Sequence, residues 1–170
     1  VVIISGTLGD HGIAVMSARE GLNFETDLRS DVAPLNHLIA AMMNVGEIHV
    51  LRDPTRGGLA TTLNEIAIQS DLTVELQETA LPVKPQVHAA CEMLGFDPLY
   101  VANEGKLVAF VKPEDAEKIL SVMHQTRYGE EAVIIGKVIR TKHADVRLRT
   151  AIGGSRLMDM VIGEMLPRIC

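Results

Sequence analysis

The alternation of apolar and polar positions divides the chain into a regular series of strands and helices. Val1 to Ile4 is a continuous apolar run with no polar lead-in, the pattern of a buried strand and the abrupt start expected of a piece of a longer protein. A polar, glycine-rich connection, Ser5 to Gly12, feeds an apolar run from Ile13 to Ala18 that reads as a helix. Leu22 to Ser30 is polar and punctuated. Asp31 is placed to cap the next helix, with Pro34 in its first turn and Leu35, Leu38, Ile39 and Met42 on one face, while His37 falls off that stripe toward solvent. Ile48 to Leu51 is a short strand that delivers the chain to Asp53-Pro54-Thr55-Arg56-Gly57-Gly58, after which Leu59, Leu63, Ile66 and Ala67 mark a helix ending near Ser70.

In the second half, Leu72, Val74 and Leu76 alternate with Thr73 and Glu75, the period of a half-buried strand, here expected at a sheet edge. Pro82 and Pro85 lead into a helix whose stripe is Val87, Ala90, Cys91 and Leu94, closed by Gly95. A turn and a polar loop, Asp97 to Gly105, precede the strand Leu107 to Val111. Pro113 opens a helix with acidic residues at its positive end and Ala116, Ile119, Leu120 and Met123 inward. Ala132 to Ile139 and Val146 to Arg149 are strands, and Ile152 to Val161 is expected to hold a short helix. Such alternation predicts an α/β (α+β) domain, a mixed sheet with helices packed on its faces.

Composition narrows the function classes. At 170 residues the chain suits one domain, and a formal charge of −6 gives no reason to expect nucleic acid or an anionic membrane. No apolar run approaches the roughly 18 residues needed to span a bilayer, so a cytoplasmic location is expected. Only Cys91 and Cys170 are present, too few for a disulfide scaffold or a cysteine zinc site. Cys91 lies on an apolar stripe and reads as a core thiol.

Three stretches carry candidate chemistry. Gly57 and Gly58 at a helix entrance would let backbone approach a ligand, with Arg56 and Thr55 as donors, the parts of an anion cradle, although a Gly-Gly pair before a helix is more often a turn with a packing role. Glu104, beside a glycine at a strand start, could accept a proton, hold a metal or stand exposed, and composition favours exposure. His11 likewise favours a surface or capping role over a substrate contact. Cys170 ends the chain after Gly163 and Pro167, a thiol on an extended tail; incidental and nucleophilic readings stay equally open on these grounds.

Gly6-Thr7-Leu8-Gly9-Asp10-His11-Gly12, Arg52-Asp53-Pro54-Thr55-Arg56-Gly57-Gly58-Leu59-Ala60, Asn103-Glu104-Gly105 and Pro167-Arg168-Ile169-Cys170, in this order and spacing, resemble the C-terminal half of the HypE family of hydrogenase maturation factors. The Pro-Thr-Arg-Gly-Gly stretch is shared with the wider aminoimidazole ribonucleotide synthetase (PurM) superfamily, whereas the terminal Pro-Arg-Ile-Cys is specific. The resemblance implies a PurM C-terminal fold, partly ferredoxin-like, over residues 1–162, a flexible tail over 163–170, and an N-terminal ATP-binding domain lying outside this chain. It implies that HypF loads a carbamoyl group onto Cys170, that ATP with Mg2+ drives dehydration to a thiocyanate with Glu104 as the base, and that the cyano group passes to iron on HypC and HypD for the [NiFe] centre. By the same resemblance Asp53, Thr55, Arg56, Gly57, Gly58 and Asn103 are candidate nucleotide- or phosphate-binding residues, the parent protein is a homodimer, and this fragment alone should be inactive. Two rival expectations are another ATP-using PurM-superfamily enzyme, of the thiamine-monophosphate kinase or selenophosphate synthetase type, with Cys170 incidental, and a non-catalytic docking module for maturation partners.

Overall fold

The first strand, β1 (Val2–Ile4), is apolar at every position because both of its faces are covered. Val2 and Ile4 point into one core and Ile3 into another on the opposite side. This computed structural model describes residues 1–20 and 28–160. In chain order, β1 is followed by α1 (Asp10–Glu20), α2 (Asn36–Met43), β2 (Ile48–Arg52), α3 (Gly58–Ser70), β3 (Thr73–Gln77), α4 (Pro85–Leu94), β4 (Val108–Val111), α5 (Ala116–His124), β5 (Val133–Ile139), β6 (Val146–Arg149) and β7 (Ser155–Leu157). The strands form one seven-stranded sheet in the order β2-β4-β1-β5-β3-β6-β7. Neighbours run antiparallel except β3 and β6, which are parallel.

Helix α3 lays Leu59, Leu63 and Ile66 on one face of the sheet against Val2, Ile4, Val108, Phe110, Ile135 and Leu148. Helices α2 and α5 cover the other face with Leu38, Met42, Ile119 and Met123 against Ile3, Ala109 and Val111. A third cluster joins α1 to α4 through Ile13, Met16, Val87, Ala90 and Cys91, with Val101 at its centre. The mixed sheet with helices on both faces is the architecture the alternation predicts.

The structure corrects four local expectations. β3 is interior, between β5 and β6, and not an edge. Its alternation arises because Val74 and Leu76 enter the core while Glu75, on the opposite face, meets Lys137 and Arg149 of the adjoining strands at 3.5 and 3.4 Å. The expected helix within 152–161 is instead β7, antiparallel to β6 with Arg147 opposite Leu157. Asp31 does not cap α2, whose N-cap is Leu35 without a side-chain bond. His11 is buried rather than at the surface, its Nδ1 2.8 Å from Ser30 Oγ.

Candidate functional site

The loops that carry the candidate chemistry converge where β1, β2 and β4 hand the chain on. Residues 5–9 leave β1, residues 53–57 leave β2, and residues 101–106 approach β4, so sheet pairing alone brings together segments far apart in sequence. Ser5 N–H donates to the Leu107 carbonyl at 3.0 Å, and Leu107 N–H donates to Ser5 Oγ at 3.0 Å, extending the ladder of β1 and β4 into the loops.

Asn103 knots these loops together. Fully buried, it accepts from Gly9 N–H at 2.8 Å through Oδ1, and its Nδ2 donates to the Pro54 and Val101 carbonyls, each at 3.0 Å. Its backbone N–H adds a bond to the Pro54 carbonyl at 3.2 Å. Both side-chain N–H groups are thereby committed to carbonyls. Asn103 therefore reaches the site as a tie between the Gly9 and Pro54 loops and has no donor left for a phosphate.

The paired glycines follow the same logic. Gly57 and Gly58 both have positive φ, 75° and 63°, which favours glycine at each. A Cβ on Gly58 would lie 2.5 Å from the Leu99 carbonyl oxygen and 2.7 Å from the Tyr100 carbonyl carbon. The close approach is thus made to the protein's own 99–101 backbone, and Gly58 N–H donates to the Thr55 carbonyl at 3.0 Å. Asp53 and Arg56 stand exposed at this corner and Thr55 is half-buried, so these three face outward where a ligand can reach them.

Glu104 is half-buried, not exposed, and its backbone N–H donates to Asp31 Oδ1 at 3.0 Å. Next to it, Gly105 is buried under the 31–33 segment: a Cβ there would meet the Asp31 carbonyl oxygen at 1.7 Å and Ala33 N at 2.7 Å. Lys106 follows, its Nζ 3.5 Å from Asp31 Oδ2. A groove of about 510 Å³ runs on from this loop, with Thr7, Asp10, Ser30, Asp31, Lys84 and Lys106 among its walls. Two of its charged groups pair with each other: Asp10 Oδ2 accepts from Lys84 Nζ at 2.8 Å and from Thr7 Oγ1 at 2.5 Å, while Asp10 Oδ1 is buried without a hydrogen-bond partner. Sequence reasoning missed Asp10, Asp31, Lys84 and Lys106 as members of this region. Asp10 and Lys106 lay within or beside the motifs singled out, whereas nothing local marks Lys84, which meets Asp10 from 74 positions away.

Of the two cysteines, Cys91 lies among the described residues. Cys91 is buried on the α1–α4 seam, and its thiol is pushed up to about 11 by burial, reinforced by the negative charge of Asp97. Near neutral pH only about one such thiol in ten thousand is thiolate, the nucleophilic form. Cys91→Ser is expected to lower stability by about 1–2 kcal/mol, because a hydroxyl replaces a packed thiol. Thermal melting checks this; an unchanged melting temperature would mean that the Cys91 thiol is not packed as described. Cys170 and the 163–170 tail lie outside the described residues. Among the described residues no group of three or more His, Cys, Asp or Glu side chains is arranged to hold a metal ion, and no helix is long and apolar enough to cross a membrane.

The family model for the AIR synthase related protein, C-terminal domain, matches residues 1–149. The chain belongs to the AIR synthase related family. Within that family it is similar to the carbamoyl dehydratase HypE of Bradyrhizobium diazoefficiens, 56% identical over 171 residues that cover 99% of this chain and 49% of the relative. Among solved structures it is similar to hydrogenase maturation protein HypE in complex with ATP, with a TM-score of 0.94 and 50% identity over 99% of this chain and 52% of that one. It is also similar to a chain of the HypE–HypF complex, with a TM-score of 0.90 and 51% identity over 95% of this chain and 52% of the other. This AIR synthase related domain thus spans about half the length of the relatives it matches.

Proposed function

We propose that this domain is the C-terminal part of an ATP-dependent carbamoyl dehydratase that supplies cyanide ligands for the iron of [NiFe] hydrogenase. The observation that carries the reading is the 56% identity, across 99% of the chain, to a protein named carbamoyl dehydratase HypE. In this reading HypF loads a carbamoyl group onto the Cys170 sulfur, and the product passes to HypC and HypD. The parent protein works as a homodimer in the cytoplasm, and its N-terminal half holds most of the ATP and Mg2+. The isolated domain lacks that half and is inactive. Burial of Cys91 supports Cys170 as the carrier, since the other thiol in the chain is inaccessible and held protonated.

The chemistry sets what the domain's own residues must do. An amide oxygen is a poor leaving group. ATP supplies a phosphoryl group to the carbamoyl oxygen, and one N–H proton is lost as the O-phosphorylated imidate forms. Removal of the remaining N–H proton then lets the nitrogen pair close the C≡N bond as the C–O bond breaks and phosphate departs, giving thiocyanate, ADP and phosphate from carbamoyl thioester and ATP. Glu104 is the base for this nitrogen, a half-buried carboxylate on a loop tied down on both sides. Thr55, Asp53 and Arg56 border the approach to the nucleotide. Gly58 and Asn103 shape that border by packing and internal bonds, and Gly57 keeps its place among the candidates for phosphate contact.

The test is the mass of the intact parent protein incubated with HypF, carbamoyl phosphate and ATP. A gain of one carbamoyl group on the C-terminal peptide should give way to the mass of a thiocyanate. Absence of any gain at Cys170 would exclude the carrier reading.

A further inference from the structure

We propose that Asp31 is a positioning residue that sets the geometry of Glu104, an inference that rests on the reading of Glu104 as the base. Asp31 lies 73 positions before Glu104 in the chain, yet its Oδ1 accepts the Glu104 backbone N–H at 3.0 Å. The Asp31 side chain is only 3% exposed, and its other oxygen sits 3.5 Å from Nζ of Lys106, itself 13% exposed. Burying a carboxylate is costly unless it is paired and hydrogen-bonded. Here both partners belong to the loop that bears Glu104.

The backbone makes the same contact a second time. Gly105 lies so close under the 31–33 segment that a Cβ would reach within 1.7 Å of the Asp31 carbonyl oxygen. Asn103, the preceding residue, is held by its side-chain bonds to the Pro54 and Val101 carbonyls. Glu104 is therefore fixed at its own N–H, at the residue before and at the residue after. The Lys106 stem also runs across Gly6, where a Cβ would be 3.1 Å from Lys106 Cε, so the hold extends to the loop leaving β1. A general base acts only within hydrogen-bond reach of its proton, and small misplacements cost large factors in rate. A charge-assisted bond from the base's own amide to a buried carboxylate is a direct means of holding that reach.

The experiment uses the full-length parent protein incubated with HypF, carbamoyl phosphate and ATP, with the carbamoylated and thiocyanate forms of the Cys170 peptide followed over time by mass. Asp31→Ala removes the acceptor of the Glu104 N–H and is expected to slow conversion at least about tenfold while loading stays at the wild-type rate. Asp31→Asn keeps an acceptor oxygen for the Glu104 amide while giving up the negative charge and the pairing with Lys106, so it should restore conversion to within about threefold of wild type. If Asp31→Ala is insoluble, Asp31→Ser, too short to reach the Glu104 amide, is read in its place. Wild-type conversion by the Ala or Ser variant overturns the proposal, as does failure of Asn to rescue, or loading and conversion falling in parallel. Glu104→Gln is measured beside them. Full conversion by that variant removes the base reading and this inference with it, whereas arrested Glu104→Gln with unaffected Asp31→Ala removes the positioning role alone.

Discussion

Glu104→Gln in the full-length parent protein is expected to leave loading of Cys170 intact and to slow thiocyanate formation by about a hundred- to ten-thousandfold, the usual worth of a general base. Glutamine keeps the length of the side chain and can still bond to a carbamoyl group, but it cannot take the proton from nitrogen. The backbone bond from residue 104 to Asp31 does not involve the side chain, so the substitution leaves that bond its donor and acceptor. The two steps separate for a chemical reason. Loading forms a bond to sulfur and needs no base at nitrogen, whereas dehydration has to strip that nitrogen. Carbamoylated Cys170 should therefore accumulate, visible as a persistent mass gain on the C-terminal peptide. Conversion at the wild-type rate would place proton removal on another group.

Asn103→Ala should lower stability by about 3 kcal/mol, since the loss strands the Gly9 N–H and takes a partner from two carbonyls inside the protein, at about 1–3 kcal/mol for each buried group left unsatisfied. Asn103→Asp makes the sharper comparison because it is nearly isosteric. Its carboxylate can still accept from Gly9, but it turns an acceptor toward the Pro54 and Val101 carbonyls where two donors stood. A buried charge with a single donor then adds to the lost bonds. Asp should be at least as damaging as Ala, measured as the shift in the melting transition of the parent protein. An Asp variant as stable as wild type would mean that Asn103 does not tie the loops as described.

Both predictions concern a site that the sequence marked by its motifs but could not assemble. Asn103, Glu104 and Gly105 were visible as a polar loop before a strand, and the glycines at 57 and 58 as a helix entrance. What each does there was not visible. Gly58 reads locally as a place for a ligand to come close, and the 99–101 backbone takes that place instead. Asp31 reads as a helix cap, since an aspartate shortly before a proline and an apolar stripe is the local signature of one. It serves the Glu104 loop instead, and α2 starts at Asn36 without a side-chain cap.

The order of strands and helices from β1 to β6 was legible in the sequence alone, because burial on one face or both writes a period of two, a period near 3.6 or an unbroken apolar run directly into the chain. The core residues of α3, α4 and α5, and the contrast of a buried Cys91 with a terminal Cys170, were fixed at the same level. Tertiary structure decided everything that depends on which strands are neighbours. Alternation in β3 shows that one face is covered but carries no information about lateral pairing, so an interior strand beside β5 and β6 looked like an edge. The three residues of β7 are strand only because β6 offers an open side to pair with, a condition that no local propensity encodes. The ties of Asn103 to Gly9 and Pro54, of Asp31 to Glu104, and of Lys84 to Asp10 span 49 to 94 positions. Hydrogen bonds of that range leave no periodic trace in the sequence, because each is made by a single side chain whose partner is chosen by the sheet order and not by its neighbours in the chain.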